Sequence, residues 1–113
     1  ETPSDFFQQL SNSIATGDLT YALDRLHPLV FEAFPGDLCA AELALRANPD
    51  YQITVDSVGE TAPWTWELPD GRNFEIPEAT TVTIRLPNTP DPVEGHLVVS
   101  DRMHYWFTVC DQR

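Results

Sequence analysis

Three histidines, two cysteines and a close pair of tryptophans are the residues of this 113-residue chain with the most chemistry to offer. His96 and His104 flank a turn signal, so a closing hairpin would bring them near each other. Two imidazoles without a fixed third ligand make a weak metal site. His27 stands before Pro28 at a predicted helix end, where its charge suits the helix dipole and capping is the simpler role. The sequence contains no glycine-rich phosphate loop, no G-x-S-x-G elbow, no H-E-x-x-H pair and no N-x-[ST] acceptor. No catalytic residue, metal site or cofactor is therefore assigned. Trp64 and Trp66 share one strand face, which reads as core before it reads as a sugar or cofactor platform.

Cys39 and Cys110 are too few for a structural zinc site, and each sits near the end of a predicted element. The expected outcome is a disulfide between them, with a reduced buried pair as the alternative. A disulfide places the protein outside the reducing cytoplasm: secreted, periplasmic or at the cell surface. The chain starts at Glu1 without a methionine, compatible with a removed signal peptide or lipid-anchor segment.

The elements that would position these residues follow from composition and periodicity. A length of 113 residues with 42% hydrophobic content suits one domain, residues 1–113, with a modest core. Eighteen acidic against six basic residues, all arginine, give a formal charge of −12 that repels nucleic acid and anionic headgroups. No stretch has the roughly 18 to 20 consecutive apolar residues of a membrane span. "SDFFQQLSNSI" offers Ser4 or Asp5 as a cap and sets Phe6, Phe7, Leu10 and Ile14 on one stripe. A second helix is expected over 19–26, carrying Leu19, Leu23 and Leu26. A third is expected over "LCAAELALRA" behind Asp37, with "LVFEAF" as a turn or short helical piece between them.

From residue 51 the period becomes alternating. "YQITVDSV" and "WTWEL" read as strands, "PDG" as a tight turn, and "NFEI" with "TTVTIRL" as a strand interrupted near Pro77. "EGHLVVS" and "MHYWFTVC" form a hairpin across Asp101 and Arg102, after a proline-rich loop at 87–95. The predicted class is α+β: three N-terminal helices packed on a curved, cone-shaped antiparallel sheet of about four to five strands.

"TGDLTYALDRLHP" resembles the G-D-x-x-x-A-x-x-x-L-x-P signature of the nuclear transport factor 2-like superfamily, matched by Gly17, Asp18, Ala22, Leu26 and Pro28. The order of helices then meander is similar to its abbreviated, secreted or lipoprotein-attached members. The resemblance implies a conical fold enclosing a pocket, used for isomerases, cyclases, epoxide hydrolases, binding proteins and accessory domains. Fold alone therefore does not select a function. Isomerase chemistry would need a base such as Asp56 or Glu67 facing a donor such as Tyr21 or Tyr105. An epoxide-hydrolase relay would need Asp56 and Arg85 to meet, together with a second aspartate. The sequence lacks the early hairpin of the larger enzymes, which favours a binding or accessory domain over an enzyme.

Strand parity gives the remaining expectations. If Cys110 turns toward the helices, so do Thr108, Trp106 and His104, while Met103, Tyr105, Phe107 and Val109 form an apolar outer face. That face predicts a homodimer or protein-partner contact. The pocket is expected to be small and apolar, lined by Phe6, Leu10, Trp64, Trp66, Trp106 and His104, and suited to a small apolar ligand. His104 is expected to bond a backbone carbonyl or a water.

Overall fold

The computed structural model describes residues 1–87 and 89–110; Asn88, inside the loop expected at 87–95, and residues 111–113 lie outside them. Four helices, α1 (Pro3–Thr16), α2 (Thr20–Asp24), α3 (Pro28–Ala33) and α4 (Gly36–Ala44), precede four strands, β1 (Thr54–Glu67), β2 (Asn73–Arg85), β3 (Val93–Ser100) and β4 (Met103–Trp106). The strands pair in chain order as one open antiparallel sheet. The class is α+β, with the "LVFEAF" piece promoted to a helix because Pro28 supplies a preset first turn.

The apolar stripe of α1 is buried as its spacing requires: Phe6, Phe7, Leu10 and Ile14 all lie in the core. The cap is Thr2, not Ser4 or Asp5. Thr2 Oγ1 accepts the Asp5 N–H, and the Asp5 carboxylate accepts the Thr2 N–H, a reciprocal box. Gly17 closes the helix at φ 82°, a left-handed backbone that costs a side-chain-bearing residue about 1 kcal/mol. Asp18 Oδ1 accepts the Thr20 N–H at 3.3 Å, one residue ahead of Leu19, which is the N-cap of α2 and makes no side-chain cap.

The second helix is shorter than the 19–26 stripe predicts, because a tertiary pairing takes its last turn. Trp106 N–H donates to Arg25 O and His27 N–H donates to Trp106 O, both at 2.9 Å. Residues 25–27 thereby cover the outer edge of β4, and a strand edge left open would be the less stable choice. α4 begins at Gly36, with Asp37 in its first turn. Its end tightens: Arg46 N–H bonds Leu43 O and Ala47 N–H bonds Ala44 O.

β1 runs unbroken through "GETAP", where the sequence predicts a gap between two strands. The reason is local slippage of register. Between Val58 and Thr61 the pairing advances three residues on β1 against two on β2, which absorbs Gly59. Between Ala62 and Trp64 it advances two on β1 against three on β2, which absorbs Pro77 without a break. β3 and β4 join through Asp101 and Arg102 at φ 51° and 67°, the two-residue hairpin geometry.

β4 stops at Trp106, and the chain beyond it leaves the sheet. Cys110 bonds to Cys39 of α4, with both residues fully buried. His104, Trp106 and Cys110 are all buried, as the parity argument requires, while Thr108 is half-buried.

Candidate functional site

Among the described residues an open cleft of about 840 Å³ lies between α1, the loop after α4, and the β2–β3 end of the sheet. Phe7 and Leu10 reach it from α1, Ile84 from β2, Leu97 from β3, and Trp106 from β4. Cross-strand pairing explains this floor. Leu97 pairs with Trp106, and Gly95 and Val93 pair with Val82 and Ile84, so one sheet face presents them together. Gly95 leaves a gap in that row. A Cβ there would meet Ile84 Cδ1 and Val82 Cγ2 at 3.5 Å, an ordinary contact.

The rim is polar and is built by the 45–51 loop. Asn48 Oδ1 accepts the Asp50 N–H, and Tyr51 N–H donates to Asn48 O, both at 2.8 Å. Arg46 lines the same wall. One turn back on α4, Glu42 is 8% exposed, and its Oε1 accepts from Arg46 Nη2 at 3.1 Å. Glu42 Oε2 is buried without a protein partner. Burial pushes the Tyr51 phenol up, against the opposing pull of Arg46. Glu94 and His96 border the cleft on β3, but alternation turns their side chains to the other face, where the His96 ring stacks on Trp64.

Of the six residues expected to line a pocket, Leu10 and Trp106 do so, whereas Phe6, Trp64, Trp66 and His104 lie elsewhere. Trp64 and Trp66 follow the far end of the β1–β2 hairpin toward α3, where Arg72 Nη1 donates to Ala33 O at 3.0 Å. There both indoles meet the Phe107 ring edge-on at 5.1 Å. His104 pairs with Glu1, a partner the sequence did not suggest: its backbone N–H and its Nδ1 lie 2.9 and 3.1 Å from Glu1 Oε1. Arg25 donates to the same oxygen at 2.6 Å, and the Phe6 ring packs over His104. Burial alone would raise the Glu1 carboxyl, but the His104 N–H, Arg25 and the His104 ring outweigh it and hold it at about 2.

The apolar outer face is also rearranged. Phe107 is covered within the chain by His27, Trp64 and Trp66. Tyr105 and Val109 are half-buried, which leaves Met103 as the exposed member of the four. Asp56 and Arg85 do meet, at 2.9 Å, but both are exposed on the sheet and lie outside the cleft. The Tyr21 hydroxyl faces Glu1, not Asp56 or Glu67. Among the described residues no three metal-ligating side chains cluster.

His27 reverses the expectation of a charged cap. It is the N-cap of α3, and its Nδ1 accepts the Leu29 N–H at 3.1 Å, so the helix start requires the neutral ring. Burial pushes His27 down, with Glu32 pulling up, and it pushes His96 down, with Glu94 pulling up. The unfolded chain therefore takes up these protons first as pH falls. Their contribution to stability is complete above the unfolded value of 6.5 and declines below it. Glu1 titrates far below this window. Urea midpoints measured at about pH 7.5 and about pH 5.5 should fall with pH. His27→Asn keeps a capping acceptor that cannot titrate, and should show a shallower fall. An equal or steeper fall in that variant would contradict the neutral cap.

No protein-family model, no curated protein and no solved structure matches this chain.

Proposed function

We propose that this chain is an extracytoplasmic binding or accessory domain of the nuclear transport factor 2-like kind, whose cleft takes up a small, mainly apolar molecule. The carrying observation is the cleft itself: Phe7, Leu10, Ile84, Leu97 and Trp106 lie buried at its floor, and Arg46, Asn48, Asp50 and Tyr51 of the 45–51 loop line its wall. Leu45, 71% exposed at the mouth, adds apolar surface that a ligand would cover. The helices-then-meander order and the left-handed turn at Gly17 before Asp18 support the superfamily resemblance. The buried disulfide supports an oxidising compartment. Among the described residues no helix is long and apolar enough to cross a membrane.

The test is saturable uptake of N-phenyl-1-naphthylamine, a neutral apolar fluorophore, followed by its emission. Gly95→Leu projects a side chain into the floor from a position with ordinary clearance. It should weaken uptake about tenfold or more while shifting the melting temperature by only a few degrees. Uptake that does not saturate, or that is unchanged in Gly95→Leu, would remove the cleft as the site.

A further inference from the structure

We propose that the cleft selects an apolar molecule ending in an acid, with Arg46 as the group that receives the anionic end; this rests on the binding reading above. Arg46 is the one arginine among the described residues lining the cleft, and the chain has no lysine. Its guanidinium is held from behind. Glu42, buried one turn earlier on α4, engages only Nη2, and through one carboxylate oxygen. The Tyr51 hydroxyl also approaches the guanidinium; a guanidinium carries five N–H donors in a rigid fork, so these two partners still leave donors for a third acceptor. A planar carboxylate matches that fork better than a hydroxyl does, and an ammonium cannot accept from it at all.

The charges around the cleft sharpen the choice. Asp50 opposes Arg46 at the rim, but it is exposed and solvated, whereas Arg46 is two-thirds buried at 34% side-chain exposure. The molecule as a whole is −12 and repels anions at a distance. That field is screened beyond about 8 Å at physiological salt, so an acid is retained only by a specific donor at contact distance. Non-specific anion adsorption is correspondingly disfavoured, and any preference for an acid reports on Arg46. Glu42 is a positioning residue here: it orients the guanidinium and competes with the ligand for it.

The experiment displaces N-phenyl-1-naphthylamine with decanoate, decanol and decylamine, which share one apolar body, at concentrations below aggregation. In the unmodified chain decanoate should bind about tenfold more tightly than decanol or decylamine. Arg46→Gln should reduce decanoate to the level of decanol and leave decanol unchanged. The double variant Glu42→Gln/Arg46→Gln gives the same readout without leaving a buried carboxylate unpaired, should the single variant fold poorly. Glu42→Gln alone should retain or increase the preference for the acid, a result that a merely structural ion pair would not produce. Fluorophore uptake with no head-group preference, a preference for decylamine, or an acid preference that survives in Arg46→Gln would overturn the inference while leaving the binding reading in place. Failure of every ligand and of the fluorophore to bind would overturn both.

Discussion

Replacing Cys39 or Cys110 with alanine is expected to lower the unfolding free energy by about 4 kcal/mol. The bond spans 71 positions, so breaking it frees a long loop in the unfolded chain, and that loop's entropy is the larger part of the effect. A domain of this size has only about 5 to 15 kcal/mol in total, so the loss is a large share of it. Two further results identify the cross-link as the cause. The double variant should cost little more than either single one, because the bond is already absent in both. The denaturant slope should rise, since an uncrosslinked unfolded chain exposes more surface. Additive losses with an unchanged slope would assign the effect to local packing of the two buried side chains instead.

The second large effect is expected at Trp106, where three structural roles converge. Its backbone carries the pairing to residues 25–27, its ring floors the cleft, and its Nε1 donates to Ala22 O at 2.9 Å. Trp106→Ala should cost about 3 to 5 kcal/mol through lost burial and the cavity it leaves. Trp106→Phe keeps much of the ring but leaves the Ala22 carbonyl without its donor, for about 1 to 3 kcal/mol. The two variants should therefore separate clearly in chemical denaturation. Equal losses would mean that the indole hydrogen bond, not the buried ring, sets the stability of this joint.

How much of this was legible in the sequence depends on whether a residue's role is local. Phe6, Phe7, Leu10 and Ile14 announce α1 because a helical stripe is a short-range signal, and Gly17 with Asp18 announces its end. The turn at Asp101 and Arg102 and the pairing of Cys39 with Cys110 were equally readable. The continuity of β1 was not, because Gly59 and Pro63 look like breakers until the partner strand slips register around them. His27 looked like a helix end because Pro28 follows it, and the same proline in fact starts α3. The early end of α2 has a long-range cause, the pairing of residues 25–27 with Trp106.

The cleft was the least legible feature. Its rim lies on the aperiodic 45–51 loop, and Trp64 and Trp66 were assigned to it by parity counted through a hairpin whose bulges carry them toward α3. A lone arginine in "LALRANPDY", with a glutamate one turn before it, was the available signal for Arg46.

The central claim, that the cleft at Leu10, Ile84, Leu97 and Trp106 binds small apolar molecules, is tested most directly by following methyl and indole resonances during titration with N-phenyl-1-naphthylamine. The account predicts saturable shifts for the methyls of Leu10, Ile84 and Leu97 and for the Trp106 indole N–H. The Trp64 and Trp66 indoles, and the exposed Val58, Val99 and Met103 methyls, should stay in place. Shifts centred on Val99 and Met103, or none in the cleft at saturating fluorophore, would contradict it.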